Sequence, residues 1–339
     1  MNAPTGFSLA PYNTFGVDAS SQRLVSLTDP AELARLEFQS GVDLVLGGGS
    51  NVLLVDDIPG TVLLNRIKGI EILEQDHASA LVMAGGGESW HALVRWTLER
   101  GLYGLENLSL IPGLCGAAPM QNIGAYGVEL SDVLHSVRAW DWHDARFVDL
   151  EREDCQFSYR DSRFKSSEPG RYLITALRLR LELEFSPKTG YGSLQQQLFE
   201  WGLSKPSAIE VSEAVMHLRR ARLPDPSVLG NAGSFFKNPQ VEGAVAQQLR
   251  TNFSGLPVSR VSERRFKLSA AWMIQHCGWK GRRLGDAGVS DQHALVLVNY
   301  GQASGCEILE LAREIHGSVR DTFGIELEAE PVIIGGERL

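Results

Sequence analysis

The feature that most constrains this chain is a neutral stretch of small residues, 111–129. It contains four glycines and three alanines, and no charged side chain occurs before Glu129. Such residues let the backbone approach a ligand closely, with N–H groups free to point at it. Flexible linkers with this much glycine are usually rich in serine and charge, so we expect a rigid segment, called here the main cradle. A tight packing loop is an equally good interpretation of this stretch alone.

A second glycine-rich segment lies between two short predicted strands, residues 43–46 and 52–55. This short cradle consists of Gly47, Gly48, Gly49, Ser50 and Asn51. Its backbone N–H groups and polar side chains suit an anionic pyrophosphate. The Rossmann fingerprint is not met, because its third glycine falls at Val52 and a strand follows where a helix is required. Two neutral cradles predict one long ligand, such as a dinucleotide, bound without a Rossmann unit.

Composition excludes several classes of protein. The net charge of −9 over 339 residues argues against a nucleic-acid partner. The four cysteines lack Cys-x-x-Cys spacing and the histidines lack ligand spacing, so we predict no metal site. Residues 1–6 lack the features of a signal peptide, and no run of about 18 apolar residues could span a bilayer. We expect a cytoplasmic monomer with no membrane or nucleic-acid partner.

The order of predicted elements indicates an α+β fold in three domains, residues 1–66, 67–206 and 207–323. A final strand within 324–339 is expected to join the second domain. In that strand pattern, a period of two places Glu326, Glu328 and Glu330 on one face. A helix is predicted over residues 31–40, after a capping aspartate and a proline.

Two further motifs could carry chemistry. Arg160 lies among small polar residues, and its guanidinium fork matches a carboxylate or phosphate; a surface ion pair with Asp161 is the alternative. Ser234 follows Gly-Asn-Ala-Gly and precedes two phenylalanines. No nucleophile elbow surrounds this serine and no histidine is obviously paired with it, so a hydrolase is disfavoured. A hydroxyl that gives or relays a proton remains possible.

Six motifs occur in an order typical of one family. They are Pro11-x-Asn-Thr-Phe-Gly16, Leu46-Gly-Gly-Gly-Ser-Asn51, Pro112-Gly-x-x-Gly-Ala-x-Pro-x-Gln-Asn-Ile-Gly-Ala-Tyr-Gly127, Tyr159-Arg-Asp-Ser162, Gly230-Asn-Ala-Gly-Ser-Phe-Phe-Lys-Asn-Pro239 and Leu327-Glu-x-Glu330. From about residue 11 to 335, the chain resembles the UDP-N-acetylenolpyruvoylglucosamine reductase (MurB) family of bacterial peptidoglycan synthesis. The Gly-Tyr-Gly-Ser-Leu segment at Tyr191 is similar to the tyrosine-bearing insertion of the type I branch.

The resemblance implies a flavoprotein whose first two domains are FAD-binding subdomains with the fold of the vanillyl-alcohol-oxidase (PCMH-type) flavoenzymes. The third domain, of α+β type, would bind the substrate. Non-covalent FAD would contact both cradles, through Gly47, Gly48, Gly49, Ser50, Asn51, Pro112, Gly113, Gly116, Ala117, Asn122, Ile123 and Gly124.

The resemblance also implies the reaction. NADPH would reduce the flavin, and flavin N5 would pass hydride to the β-carbon of the enolpyruvyl group of UDP-GlcNAc-enolpyruvate. Ser234 would protonate the α-carbon, Arg160 would stabilise the developing charge, and Glu330 would position the carboxyl group. Candidates for substrate or NADPH contact are Tyr126, Tyr191, Arg222, Lys237 and Asn238.

Some positions depart from the family pattern, and other functions stay open. Relatives often carry Leu-Glu-Pro-Glu-Val where this chain has Leu-Glu-Ala-Glu-Pro, so Glu328 is the alternative to Glu330. Arg222 stands where the family pattern has lysine, which changes the phosphate geometry. One rival is an alcohol or sugar oxidase of the same fold, with Cys115 as the candidate for a covalent flavin link. Another is a non-catalytic flavin-binding or sugar-nucleotide-binding module.

Overall fold

The computed structural model describes residues 6–337, so most of the segment tested for a signal peptide lies outside the described residues. The chain forms two compact units, neither of which is continuous in sequence. The first unit contains Ser21–Gly48 and Ile58–Arg220, together with the chain up to Phe7. The second contains Ser8–Ser20, Gly49–Asp57 and the chain from Ala221 onward. The three-domain division stays a prediction; most of its first two domains falls within the first unit.

The elements alternate between short strands and helices. The strands are β1 (Phe7–Ser8), β2 (Ser20–Leu27), β3 (Leu44–Leu46), β4 (Val52–Leu54), β5 (Ile58–Asn65), β6 (Ile70–Gln75), β7 (Ser79–Gly85), β8 (Gly124–Ala125), β9 (Val128–Glu129), β10 (Leu134–Asp141), β11 (Arg146–Glu151), β12 (Tyr172–Glu182), β13 (Gly230–Ser234), β14 (Gln240–Glu242), β15 (Val258–Arg260), β16 (Arg265–Leu268), β17 (Arg283–Leu284), β18 (Ala287–Val289), β19 (Val296–Asn299) and β20 (Val332–Ile334). The α-helices are α1 (Trp90–Leu98), α2 (Gly192–Glu200), α3 (Ala208–Arg222), α4 (Gly243–Asn252), α5 (Ala270–His276) and α6 (Gly305–Phe323). Single turns of 3-10 helix include Pro30–Arg35, Glu106–Leu108 and Cys115–Gln121.

The first unit is built on two sheets. Strands β2, β5 and β3 are parallel, with β5 in the middle. The larger sheet is antiparallel, in the order β11-β10-β12-β7-β6. The central strand β12 buries Leu177, Leu179 and Leu181, while Arg178 and Arg180 between them are less buried, so a period of two separates the two faces of this strand. Helix α1 begins at the N-cap Ser89 and packs Leu93 and Val94 into the same hydrophobic core.

The second unit contains the antiparallel sheet β13-β19-β18-β17 and the small sheet β14-β16-β15. Its longest helix, α6, begins at a capping box formed by Ser304 and Glu307. The helix ends at Gly324, which adopts the left-handed conformation that glycine tolerates best. Buried Phe15 and Phe235 pack edge to face with their ring centroids 6.4 Å apart, which attaches the N-terminal segment to this unit.

Two predicted elements differ from what is observed. Residues 30–35 form a 3-10 turn instead of a helix to residue 40; only Leu33 of this turn is buried, so little burial favours a longer helix. The C-terminal strand begins only at Val332, because Pro331 before it has no N–H to donate to a ladder. Strand β20 pairs in parallel with β4, which lies outside residues 67–206. Of the helices within residues 6–337, none is both long enough and apolar enough to cross a membrane.

Candidate functional site

The two cradles contact each other within the first unit. A Cβ atom built on Gly48 would lie 2.9 Å from the Cα of Gly113, a separation that real Cβ atoms essentially never show. A Cβ on Gly47 would lie 3.4 Å from that of Ala117, an ordinary contact. The backbone of the short cradle therefore runs directly against the main cradle, as expected if both serve one long ligand.

The short cradle offers backbone donors at this contact. Gly47, Gly48 and Gly49 follow strand β3 directly and carry no side chain that could cover their backbone N–H groups. Successive backbone N–H groups of this kind are suited to an anionic oxygen. Neutral walls, close backbone and glycine N–H groups fit the pyrophosphate of a dinucleotide such as FAD.

The main cradle is held rigidly by the triple glycine before helix α1. The N–H of Gly116 donates to the carbonyl of Gly86 at 2.8 Å, and the N–H of Cys115 donates to Glu88 O, also at 2.8 Å. A Cβ on Gly116 would come within 2.9 Å of Ile174 O. The glycine is therefore required for packing, and residues 85–87, which fail as a fingerprint, support the cradle from behind.

Asn122 ends the 3-10 turn of the main cradle in the left-handed conformation, with φ of 45°. Its side-chain amide donates to Glu129 Oε2 at 2.8 Å, and its Oδ1 accepts from the N–H of Ser131 at 2.9 Å. The buried side chain therefore stabilises the protein itself. Its contact with a cofactor stays a prediction.

Arg160 is attached to the main cradle by its side chain. Its Nη2 donates to the carbonyl oxygen of Gly124 at 2.7 Å, and its φ of 55° is unusual for a residue with a long side chain. Asp161, the alternative ion-pair partner, instead accepts from the backbone of Ser162 and the hydroxyl of Ser166. A left-handed backbone conformation such as that of Arg160 costs conformational free energy, and such conformations are often found at functional sites. The guanidinium is thus held beside the cradle.

Tyr126 and Tyr191 meet, although they are 65 positions apart in the sequence. Their ring centroids are 5.5 Å apart and nearly perpendicular, at 75°. Buried Asn107 donates to the carbonyl of Tyr126 at 2.9 Å and to that of Lys188 at 2.8 Å, which fixes the segments that carry both tyrosines. Tyr191 is 47% exposed. The pair therefore forms a firmly supported aromatic wall that is open to solvent on one side.

In the second unit, Ser234 and Glu330 lie on neighbouring segments. The N–H of Glu330 donates to the carbonyl of Phe235 at 2.8 Å, and Asn51 Nδ2 donates to the Glu330 carbonyl at 3.4 Å. Both predicted catalytic side chains are half-buried. The structure therefore brings together three predicted site residues of this unit, Asn51, Ser234 and Glu330. Arg160 belongs to the first unit, and its participation in the same site stays a prediction.

The other predicted substrate residues of the second unit have distinct environments. Lys237 forms an ion pair with Glu328, which is 71% exposed. Asn238 uses its Oδ1 to accept from the backbone of Ala270 at the start of α5. Arg222 ends helix α3 and is exposed.

His293 reports a positive field in this region. Burial, followed by the charges of Arg222 and Lys280, lowers the pKa of His293. The positive charges of two side chains are therefore felt at His293, and a positive field of this kind favours the binding of an anion.

Cys115 is a fully buried residue of the main cradle, and burial raises the pKa of its thiol. The nucleophilic thiolate is therefore disfavoured, which argues against the covalent flavin link of the oxidase hypothesis. Within residues 6–337, no three or more His, Cys, Asp or Glu side chains are grouped in a way that could hold a metal ion.

Two residues near the main cradle were missed by sequence reasoning. Arg219 donates from Nε to the carbonyl of Leu110 at 3.1 Å. His91 Nδ1 accepts from the N–H of the same leucine at 2.9 Å. The position of Leu110 immediately before the main cradle could have indicated that its backbone is held in place. Nothing in the sequence identifies His91 and Arg219 as the residues that hold it.

Comparisons with known proteins agree with this arrangement. Residues 33–151 match an FAD binding domain family, and residues 225–334 match the family described as UDP-N-acetylenolpyruvoylglucosamine reductase, C-terminal domain. A UDP-N-acetylenolpyruvoylglucosamine reductase of Xanthomonas euvesicatoria is 49% identical, over 96% of this chain and 95% of that protein. One of Pseudomonas aeruginosa is also 49% identical, over 96% of both chains.

A solved structure is similar as well. The crystal structure of UDP-N-acetylenolpyruvylglucosamine reductase (MurB) from Thermus caldophilus superposes with a TM-score of 0.66 at 27% identity, over 96% of this chain and 97% of that one. Identity near one half over almost the full length leaves no room for a merely local likeness. The chain therefore belongs to the UDP-N-acetylenolpyruvoylglucosamine reductase family and contains an FAD-binding domain of the expected α+β flavoprotein fold.

Proposed function

We propose that this chain is an FAD-dependent reductase that uses NADPH to convert UDP-N-acetylglucosamine-enolpyruvate into UDP-N-acetylmuramate. The observation that carries the proposal is the backbone contact between Gly48 and Gly113, which joins two neutral cradles into one surface for a dinucleotide. The family membership of the chain supplies the substrate.

When bound, FAD supplies the hydride that it has accepted from NADPH. The protein must then protonate the neighbouring carbon of the substrate and stabilise the negative charge that develops on the carboxylate. We assign proton donation to the hydroxyl of Ser234, which is half-buried at the end of β13. A positioned proton donor contributes roughly 10²–10⁴ in rate.

Arg160 and Glu330 act on the substrate carboxyl group. The Arg160 guanidinium is held by the carbonyl of Gly124, so little reorganisation is needed when negative charge develops beside it. The backbone of Glu330 is fixed by its N–H, which donates to Phe235 O, and by its carbonyl, which accepts from the Asn51 side chain. We assign the Glu330 carboxyl group to orienting and polarising the same substrate carboxyl group.

The remaining assignments concern binding. We assign Tyr126, Tyr191, Arg222, Lys237 and Asn238 to substrate or NADPH contact, since two of them form an aromatic wall and two carry positive charge suited to phosphate oxygens. Both ligands are small molecules, and we propose that the enzyme acts as a monomer in the cytoplasm. Sedimentation of the purified protein tests the monomer.

The proposal is tested by the visible spectrum of the purified protein under anaerobic conditions. We expect flavin absorption that NADPH bleaches and that the enolpyruvyl substrate restores. A colourless protein that FAD cannot reconstitute would refute the proposal. Bleaching by an alcohol but not by NADPH would instead favour an oxidase of the same fold.

The variant Ser234→Ala tests the assignment of the proton donor. We expect it to retain FAD and to lose roughly 10²–10⁴ in turnover. Ser227→Ala is the matched control, because Ser227 is exposed and its hydroxyl donates to Asp225 in the same turn. Unchanged turnover in Ser234→Ala would refute its role, and loss of FAD would show that Ser234 supports the cofactor instead.

A further inference from the structure

The start of the main cradle is held by the first turn of helix α1. The indole Nε1 of Trp90 donates to the carbonyl of Leu108 at 3.0 Å, and the backbone N–H of Trp90 donates to Gly113 O at 3.1 Å. His91, the next residue, accepts from the N–H of Leu110 at 2.9 Å. Side chains and backbone of one helical turn thus fix the chain on both sides of Leu110.

Leu110 has a strained backbone conformation. Its φ of 58° lies in the left-handed region, which is strained for a residue with a Cβ. Two hydrogen bonds hold it there, from its N–H to His91 and from Arg219 Nε to its carbonyl at 3.1 Å. Because Ile111 and Pro112 follow directly, this conformation sets the direction in which the chain enters the main cradle.

The bond to His91 depends on the protonation state of the ring. An imidazole nitrogen accepts a hydrogen bond only when it carries no proton, so Nδ1 is bare and the proton of the neutral ring is on Nε2. A second proton would occupy Nδ1 and turn the acceptor into a donor that faces another donor. The Leu110 N–H would then lose its partner, and the strained conformation would lose one of its two supports.

We propose that His91 is a positioning residue for FAD: its neutral ring holds Leu110 in the conformation that shapes the main cradle, and its protonation weakens retention of the cofactor. The proposal rests on the proposed function, in that FAD is the ligand of the cradle. His91 takes no part in the hydride or proton transfer.

The charges around the ring favour the neutral form. The groups that face His91 are Arg95 on its own helix and Arg220, Arg219 and Glu213 on α3. Burial, followed by the three arginines, lowers the pKa of His91 below its ordinary value of 6.5, and Glu213 opposes them. The Leu110 bond is therefore intact at neutral pH. A folded state that resists a proton loses stability relative to the unfolded chain as the pH falls below 6.5, and the cradle weakens in the same range.

Two variants separate the effect of the hydrogen bond to Leu110 from the effect of the bulk of the His91 ring. In His91→Asn, the amide Oδ1 occupies nearly the place of Nδ1 and accepts at any pH, whereas His91→Leu has a similar bulk and no acceptor. The dissociation constant of FAD is measured by quenching of flavin fluorescence between pH 5 and 8, with circular dichroism to confirm folding. Turnover is measured separately in excess FAD.

We expect His91→Leu to bind FAD about tenfold more weakly at pH 7.5, because the Leu110 N–H is left unpaired. His91→Asn should bind FAD as the wild type does at pH 7.5. The ratio of wild-type to His91→Asn affinity should then fall as the pH drops to 5. Excess FAD should restore most of the turnover of His91→Leu, since the ring touches no reacting atom.

Two outcomes would overturn this proposal and leave the proposed function intact. One is an FAD affinity of folded His91→Leu equal to that of the wild type. The other is a ratio of wild-type to His91→Asn affinity that does not change with pH. If His91→Leu fails to fold, the pH dependence of that ratio decides the matter. A wild type that binds no FAD would overturn the proposed function and this proposal with it. Nitrogen chemical shifts of the His91 ring provide a test without FAD, since a proton on Nδ1 at neutral pH would also refute it.

Discussion

Gly48 and Gly113 approach so closely that a Cβ atom on the first would lie 2.9 Å from the Cα of the second. Because backbone and not a flexible side chain is on the far side, Gly48→Ala must push the two cradles apart. We expect FAD affinity to fall about tenfold or more. Gly47→Ala is the control, since its Cβ would lie 3.4 Å from Ala117 Cβ, and it should have the smaller effect. Equal losses of bound flavin in the two variants would contradict this account.

Arg160→Lys keeps the positive charge but removes the planar fork that donates to Gly124 O. We expect turnover to fall roughly 10²–10³-fold while FAD is retained, because stabilisation of developing charge depends on fixed donors. Arg152→Lys provides the control at an exposed arginine paired with exposed Glu153, and should change little. Full activity in Arg160→Lys would show that charge alone is sufficient.

The two candidate carboxylates can be separated by paired substitutions. Glu328 is 71% exposed and pairs with Lys237, whereas Glu330 is half-buried beside Asn51. We expect Glu328→Gln to change kcat/KM by less than about fivefold, the range of a surface ion pair. Glu330→Gln should lose roughly 10²-fold, mainly in kcat. The reverse order would assign the catalytic carboxyl to Glu328.

The pKa of His293 reports the positive field of the second unit. Burial and the cations Arg222 and Lys280 hold it below its ordinary value of 6.5. The unfolded chain therefore binds the proton more readily, and the contribution of this group to stability is lost as the pH falls below 6.5. Arg222→Met removes one repelling charge, so the pKa should rise in an NMR titration, and Lys280→Met should act in the same direction. An unchanged pKa in both variants would contradict the expected field.

Helix α6 has a glycine in its interior, Gly317, and ends at another, Gly324, and these two should respond oppositely to alanine. A Cβ on Gly317, within the helix, would meet nothing within 4 Å, so Gly317→Ala should raise the free energy of unfolding by about 0.5–1 kcal/mol. Gly324 has φ of 66° at the C-cap, so Gly324→Ala should lower it by about 1–2 kcal/mol. Denaturant titration measures both changes. A shift of the same sign in both variants would show that backbone conformation does not decide the effect.

Much of the fold could be predicted because periodic burial dominates it. The predicted strands 43–46 and 52–55 lie within one residue of β3 and β4, since short apolar runs bounded by polar or glycine residues define them. Predicted element boundaries were wrong where few side chains are buried, as in residues 30–35. The pairing of β20 with β4 could not be predicted from the sequence. A hydrophobic pattern identifies a strand but does not identify the strand with which it pairs.

The residues of the site divide in the same way. The glycines of the cradles were predictable because close backbone approach needs glycine whatever the surroundings. The partners of Leu110 were not, since its hydrogen bonds with His91 and Arg219 join segments that are 19 and 109 positions from it. The bonds of the Asn122 side chain to Glu129 and Ser131 were likewise not predictable from the motif.

The pairing of β20 with β4 has a consequence for synthesis of the chain on the ribosome. Residues 332–334 emerge long after residues 52–54, yet they supply the hydrogen-bonding neighbour of that strand. A nascent chain must therefore keep the apolar edge of β4 uncovered until residues 332–334 have been made, and a chain that stops before them would leave it uncovered. Such truncated chains should be recognised by chaperones and degraded even though the residues of both cradles have been made.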